Sequence, residues 1–348
     1  MNKRNSSSPR STHFIDFVIP WVDGNDPEWR ARKAKYLGTS TSDDREQRYR
    51  DWGLLKYWFR GVEKFAPWVR FIWFICDQEP PKWLNRNHPK LRVVRHEDYL
   101  PEEYRPAFSA NPIELNIYRI KGLSERFVYF NDDTFLLRPV EETFFFKKGL
   151  PCDSAVMNPV PTDTIAKNGY GTKIFTYYQT AAEYLNRDYD FHTCVKRHPL
   201  KWFHPCYGKD TLRNLVLLAW PRFVGFAEDH HPNPFLKSTY ESAWEADFDI
   251  LDATSKRHIR DDSDVNQWFL RVRQLAEGNF TPVKREKECT YSIHEDSDDM
   301  HNAIKNQERV MICLNDNNAL EEKEFVIFQK KLVNDFDEIL PEKSEFEK

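Results

Sequence analysis

The chain has 348 residues, 40% of them hydrophobic, which is enough for a sizeable core in one large domain or two modest ones. Aromatic residues make up 15% and glycine is scarce, a composition that predicts a compact globular protein and excludes extended disorder. The net charge is −4 and charges of both signs alternate along the sequence, so no nucleic-acid-binding surface is predicted.

The N-terminal segment, residues 1–12, is basic and rich in serine, and we expect it to be disordered. It has neither the apolar stretch nor the cleavage site of a signal peptide, and no segment approaches the roughly 20 apolar residues of a membrane span. We therefore expect a cytoplasmic protein, working in the cytosol or at the inner face of the cell membrane. The six cysteines are scattered without a CxxC pair, so we expect buried thiols and not disulfides.

The first half of the chain alternates apolar strands with helical segments. Strands are predicted at residues 13–20, 69–76, 91–95 and 127–130. Helices are predicted at 52–65 and, with the start signal Pro112, at 111–123, while 38–44 form a polar linker. Strands that alternate with helices indicate a parallel sheet with crossover helices.

The second half is predicted to be mainly helical. Residues 150–201 show a mixed pattern, and helices are predicted at 211–218, 238–251 and 264–276, the last capped by Asp262 or Ser263. A strand at 310–314 and an amphipathic helix at 321–339 follow. The sequence thus predicts an α/β protein with a Rossmann-like, mostly parallel sheet, flanking helices and a helical C-terminal half.

Two acidic loops follow predicted strands, and their candidate binding side chains are Asp23, Asn25, Asp26, Asn131, Asp132 and Asp133. Open α/β sheets bind ligands at the carboxyl ends of their strands, and carboxylate and amide oxygens suit a hard cation such as Mg²⁺ or Mn²⁺. Adjacent side chains of an extended chain point in opposite directions, so one of Asp132 and Asp133 is expected to meet the metal or phosphate and the other to fix the loop. The alternative is that each loop is only a polar turn with Asx hydrogen bonds.

A pair of histidines, His230 and His231, lies in the segment 228–234, which reads Glu-Asp-His-His-Pro-Asn-Pro. Histidine is the natural general base for a sugar hydroxyl at neutral pH, and acidic neighbours would orient its ring. The alternative is a proline-rich surface loop whose histidines have no catalytic role.

Arg260 precedes an acidic stretch that opens a predicted helix. The guanidinium fork and the free N–H groups of a helix N-terminus both favour phosphate, so Arg260 is a candidate anion ligand. An exposed helix cap with ordinary surface charges is the alternative.

These residues stand in longer motifs that resemble the Stealth family, which includes bacterial capsular and exopolysaccharide phosphotransferases. The catalytic region of the animal GlcNAc-1-phosphotransferase is similar. The family's four regions resemble IDFVIPWVDGNDPEW from Ile15, the stretch from RYRDWGLLKYWF to FVYFNDDTFLLRPV, the stretch from KWFHPCYGKDTLRN to RQLAEGNF, and MICLNDN with the closing LPEKSEFEK. The resemblance implies a single catalytic domain at 13–348, with the sheet and acidic loops in 13–150 and a helical part that completes the site in 151–348.

The resemblance also implies an activity: transfer of a hexose-1-phosphate from a UDP-sugar to a glycan or lipid-linked glycan, with release of UMP. In this chain His230 would be the base and Arg260 would clamp a phosphate oxygen. The metal, Mg²⁺ or Mn²⁺, would be held by Asp132 or Asp133 together with Asp26. The family pattern places a histidine two residues before a proline, which selects His230, but His231 directly precedes Pro232 and is the substitute.

Two other functions compete with this interpretation. A metal-dependent glycosyltransferase with the same donor and acidic loops would attack the anomeric carbon and release UDP. A non-catalytic glycan-binding surface protein comes from a different class, and the missing export signal argues against it.

Overall fold

The computed structural model describes residues 14–37, 50–160, 172–285, 290–293, 297–316 and 320–348. The N-terminal segment 1–12, the linker predicted at 38–44 and Cys289 lie outside the described residues. Cys76, Cys152, Cys194 and Cys313 are buried free thiols, as predicted, and Cys206 is a half-buried one.

A five-stranded sheet forms the centre of the fold. Strands β1 (Ile15–Pro20), β2 (Ile72–Ile75), β3 (Leu91–Val94) and β4 (Arg126–Tyr129) are parallel, in the order β3-β2-β1-β4, and β8 (Asn233–Leu236) pairs antiparallel with β4 at the edge. The apolar side chains alternate along each strand between two core clusters, so both faces of the sheet are covered. This arrangement confirms the predicted α/β, Rossmann-like fold with a mostly parallel sheet.

Two three-stranded sheets flank the central one. The first contains β5 (Thr134–Leu136), β10 (Thr290–Ser292) and β11 (Met311–Asn315), in the order β10-β11-β5. The second contains β6 (Phe146–Lys147), β7 (Leu150–Asp153) and β9 (Thr281–Pro282). Because β5 begins directly after Asp133, the first of these sheets braces the loop at the end of β4, and the N–H of Leu314 donates to the Asp133 carbonyl at 2.8 Å.

Helices surround the sheets, and those after residue 171 dominate the C-terminal half, as predicted. The α-helices are α1 (Pro27–Leu37), α2 (Leu55–Phe65), α3 (Ala110–Leu115), α4 (Glu142–Phe145), α5 (Thr172–Asp188), α6 (Phe191–Arg197), α7 (Pro199–Trp202), α8 (Asp210–Leu217), α9 (Lys237–Ala246), α10 (Phe248–Ser255), α11 (Gln267–Ala276), α12 (Asp298–Lys305) and α13 (Glu322–Ile339). Short 3₁₀ turns lie at His96–Asp98, Glu102–Tyr104, Ile117–Arg119 and Pro205–Tyr207. No helix within the described ranges combines the length and the apolar character that a membrane crossing requires.

Two predicted helices were too long. The helix expected at 111–123 ends at Leu115, because the buried side chain of Asn116 donates to the carbonyl of Pro112 and to Ser255 in place of a continued helical ladder. The helix expected at 238–251 is split into α9 and α10 at Asp247, whose fully buried carboxylate pairs with arginines of neighbouring helices.

Other sequence predictions also need correction. The irregular stretch at 150–201 contains the strand β7 and the helices α5 to α7. Helix α11 begins at Gln267, and its cap is Asn266, whose Oδ1 accepts the N–H of Trp268 at 3.1 Å. Neither Asp262 nor Ser263 caps this helix, so Arg260 lies in a loop well before its N-terminus.

Candidate functional site

The edge strand β8 brings the histidine loop to the acidic loop after β4. In this antiparallel pair Tyr129 lies opposite Asn233, so the residues before Asn233 run alongside those that follow Tyr129. Asn233 and Pro234 belong to β8, so of the segment 228–234 only the residues up to Pro232 lie in a loop. A proline is tolerated in β8 because this strand is at the edge of the sheet.

His230 contacts two residues of the acidic loop. Its Nε2 lies 3.0 Å from Nδ2 of Asn131 and 3.4 Å from Oδ2 of Asp133. Burial lowers the pKa of His230, but the carboxylates of Asp133, Asp229 and Glu114 together more than offset this effect, so the pKa of His230 is raised. Trp268 meets the ring edge-on, with 6.1 Å between centroids. The structure therefore gives His230 an orienting partner and a stabilising anion.

Asp132 lies in the acidic loop after β4, at the carboxyl edge of the sheet, and we call this acidic edge the cleft. Its side chain is exposed to solvent, yet the protein around it raises the pKa of Asp132 to about 7, with further contributions from Asp133 and Asp51. Asp51 in turn interacts with Asp23, and burial raises the pKa of Asp51. Carboxylates from three loops thus collect at the carboxyl edge of β1 and β4, as the sequence predicts for the loops after these strands.

The loop after β1 is held by its own hydrogen bonds and by Gln78. Oδ1 of Asp26 accepts the N–H groups of Glu28 and Trp29 at the start of α1, and Oδ2 accepts from Nε2 of Gln78 at 2.8 Å. The bond from Gln78 is the main reason why the pKa of Asp26 is lowered.

Asp23 and Asn25 complete this loop. Oδ1 of Asp23 accepts the N–H of Asn25 at 2.8 Å, and the exposed Asn25 side chain accepts from Arg30. The Asx turns expected as the alternative are therefore present, together with an acidic cleft.

His231 is placed differently from His230. It is buried, and its Nδ1 faces Oδ1 of Asp229 at 3.5 Å. Burial is the largest of the effects that lower the pKa of His231 to about 4. A buried imidazole is poorly placed to take a proton from a substrate, so the burial of His231 favours His230 of the pair.

Glu114 is a second acidic group near His230, and it also feels the charge of Arg260. Glu114 is buried and accepts the backbone N–H of Gln267 at 3.0 Å and the hydroxyl of Tyr129. Burial raises the pKa of Glu114 to about 7, while Arg260 and His230 act in the opposite direction. Arg260 is half-buried. Arg260 and His230 therefore both act on the charge of Glu114.

A buried network of ion pairs contacts the residues that precede His230 and His231. Arg271, 1% exposed, makes a bidentate pair with Asp153, at 2.8 Å for both bonds, and also donates to Glu228. Arg285 bridges Asp153, Asp229 and Asn233. Because Glu228 and Asp229 directly precede His230, this network fixes the position of the catalytic candidate.

We expect Arg271→Ala to destabilise the fold by about 3–5 kcal/mol, because it removes the bidentate partner of the buried Asp153, which keeps only Arg285, and the cation that pairs with the buried Glu228. Urea unfolding followed by circular dichroism measures this change. The matched control is Arg86→Ala, which removes an exposed partner of Glu79 and should cost about 1 kcal/mol or less. Equal effects of the two substitutions would contradict the role given to the network.

The cleft offers oxygen ligands for a metal. The carboxylates of Asp132 and Asp133 suit a hard cation such as Mg²⁺ or Mn²⁺. Asp133, His230 and Cys313 also bring one ligand atom each within 4.8 Å of one another. The thiol of Cys313 is fully buried and is a soft ligand, so the fit to a hard cation depends on the aspartates. Within the described ranges, neither Asp26 nor Asp132 belongs to such a group of three.

Sequence reasoning missed two residues of the cleft, Asp51 and Glu114. Asp51 lies in the segment before α2. This segment does not follow a predicted strand, so the sequence offered no reason to expect a site there. Glu114 lies in α3. A carboxylate within an apolar stretch is the one feature of the sequence that could have indicated a functional role for it.

Comparisons with known proteins found two matching family models and several similar proteins. The family model described as Stealth protein CR1, conserved region 1, matches residues 13–41, and that for conserved region 2 matches residues 48–152. A capsular polysaccharide phosphotransferase of Streptococcus pneumoniae is 37% identical over 337 residues, covering 96% of this chain and 98% of the relative. A receptor polysaccharide phosphotransferase of Streptococcus oralis is 37% identical, with 96% and 99% covered. An exopolysaccharide phosphotransferase of Lactiplantibacillus plantarum is 38% identical, with 96% of each covered.

Proposed function

Because the chain belongs to the Stealth family, we propose that it is a polysaccharide phosphotransferase, which moves a hexose-1-phosphate from a UDP-sugar to a glycan hydroxyl and releases UMP. The product is a sugar phosphodiester of a capsular or exopolysaccharide. The observation that carries the proposal is the placement of His230 against Asn131 and Asp133, beside the exposed carboxylate of Asp132.

The reaction is an in-line displacement at phosphorus. The acceptor oxygen forms a bond to the phosphorus that carries the sugar, and the bond from this phosphorus to the oxygen of UMP breaks. The hydroxyl proton passes to the imidazole of His230, and Asp133 stabilises the charged ring. Such transfers depend on positioning and on neutralising charge at the phosphoryl oxygens.

The remaining residues bind and orient the donor. Asp132 and Asp133 would hold Mg²⁺ or Mn²⁺, which neutralises the diphosphate when bound. Arg260 supplies a cation for a phosphate oxygen, and Glu114 positions it electrostatically. We assign Asp26, with Asp23 and Asn25, to shaping the loop that faces the donor, because both Asp26 oxygens accept hydrogen bonds from α1 and Gln78. The oxygens of Asp133 also have partners, Thr134 and His230, so a metal would share this carboxylate with them.

The acceptor is a glycan or a lipid-linked glycan, and the protein works in the cytoplasm with peripheral association at the inner face of the membrane. Mass spectrometry of products from a panel of nucleotide sugars and an oligosaccharide acceptor tests the proposal. A product that gains a hexose phosphate supports it. A product that gains only a hexose would identify a glycosyltransferase, and no donor turnover with any sugar would leave a glycan-binding protein.

A further inference from the structure

Helix α8 carries apolar side chains on a solvent-facing surface. Leu212, Leu215 and Val216 are 65%, 49% and 69% exposed and share one face of the helix, since they are spaced by three and four residues. Trp220, 52% exposed, follows in the turn that continues from the helix, where its N–H donates to the Leu217 carbonyl. We call these four residues the α8 face.

The opposite side of α8 is firmly attached to the fold. The buried Asn214 accepts the N–H of Met157 at 2.8 Å and donates to the carbonyls of Ala155 and Trp202. The exposure of the α8 face is therefore a property of a fixed helix. Exposed apolar side chains that lie together on a fixed element mark an interaction surface.

The stretch of sequence that contains the α8 face is basic, although the whole chain has a net charge of −4. Between residues 191 and 226 the single acidic residue is Asp210, which pairs with Arg213 at 3.1 Å. The basic residues of the same stretch are Lys196, Arg197, Lys201, Lys209, Arg213 and Arg222. This region therefore carries a strong excess of positive charge.

An anionic lipid bilayer has the chemistry that fits this surface. Trp and aliphatic side chains enter the headgroup region, while lysines and arginines bind lipid phosphates. A second copy of this chain fits less well, because a two-fold contact would bring two positive surfaces together.

We propose that the α8 face docks the protein on an anionic membrane surface. The inference deepens the peripheral membrane association included in the proposed function, and it does not depend on the chemistry at the cleft. Asn214 ties α8 to Met157, which pairs with Phe226, and Val156 accepts the N–H of Ala227 at 2.8 Å, just before the loop of His230. The docking surface and His230 are thus both attached to the paired segments that contain Met157 and Phe226. This attachment would keep His230 at a constant distance from the membrane.

Cosedimentation of the full chain with sucrose-loaded vesicles tests the proposal. Vesicles of phosphatidylglycerol and phosphatidylcholine should bind the wild type roughly tenfold or more better than vesicles of phosphatidylcholine alone, and salt should weaken this binding. Leu212→Glu with Val216→Glu should lose roughly tenfold or more of the binding. The matched control is Val326→Glu with Ile327→Glu on α13, which changes two residues that are 52% and 53% exposed and should leave binding unchanged.

A charge variant covers the case in which the apolar variant does not fold. Lys196→Glu with Lys209→Glu should weaken binding to anionic vesicles by about fivefold per residue, or more, because each lysine changes sign. Equal vesicle binding by the wild type and both variants of this region would overturn the proposal. So would a wild-type dimer that the α8 variant converts to a monomer, because the surface would then belong to a second copy. If vesicle binding behaves as expected while no donor is turned over on a soluble acceptor, the proposed function fails and the docking surface stands.

Discussion

Replacing His230 with alanine is expected to lower kcat by roughly 10²- to 10⁴-fold, the usual contribution of a general base. The affinity for the donor should change little, because His230 acts on the acceptor hydroxyl. Steady-state kinetics at saturating acceptor, together with donor binding by calorimetry, separate the two quantities. The expectation depends on the contacts of Nε2 with Asn131 and Asp133.

His231→Ala is the matched control, because it removes the adjacent imidazole from a buried position next to Asp229. It should reduce stability while the folded enzyme keeps its kcat. Loss of turnover in His231→Ala with normal turnover in His230→Ala would show that the wrong histidine was chosen. If neither substitution affects turnover, the base is a different group.

Removing the metal or its carboxylate ligands is expected to have the second large effect. EDTA should abolish turnover, and added Mg²⁺ or Mn²⁺ should restore it. Asp132→Asn and Asp133→Asn should each lower kcat by roughly 10²- to 10³-fold, the usual cost of removing an electrostatic group that acts on the transition state. Unlike His230→Ala, both should also weaken the binding of donor and of Mn²⁺, which electron paramagnetic resonance measures without turnover.

Cys313→Ser is the control for the nature of this metal site. The thiol sulfur lies within 4.8 Å of a candidate ligand atom of Asp133 and of His230, but a hard cation does not require a thiol ligand. The variant should therefore keep its Mn²⁺ affinity. Full activity after exhaustive chelation would refute metal dependence, and loss of metal binding in Cys313→Ser would indicate a softer ion held by thiol and imidazole.

The parts of the site that follow parallel strands could be predicted from the sequence. Apolar stretches ending in Asp and Asn identified the loops after β1 and β4, and the rule that ligands bind at the carboxyl ends of strands placed them together. The meeting of His230 with Asp133 could not be derived from local patterns. It depends on β8, a short edge strand with a proline, which has the composition of a loop.

Long-range contacts explain the other omissions. Asp51 joins the cleft because the segment before α2 is held by distant residues, with Trp52 donating to Asp316 and Gln329 donating to the Asp51 carbonyl. The sequence pattern predicts Arg271 to be an ordinary charged residue of an amphipathic helix, whereas the fold buries it between Asp153 and Glu228. Charge pairs across such separations leave no local signal in a single sequence.

The nucleotide released during turnover tests the central claim most directly. Attack at phosphorus with His230 as the base releases UMP and leaves the phosphate on the acceptor, whereas attack at the anomeric carbon releases UDP. Phosphorus NMR of a reaction with a UDP-sugar and an oligosaccharide acceptor resolves the two outcomes. We predict UMP in equal amount to a new phosphodiester signal, both absent in His230→Ala on the same time scale. UDP as the nucleotide product, without a phosphodiester signal, would contradict the account.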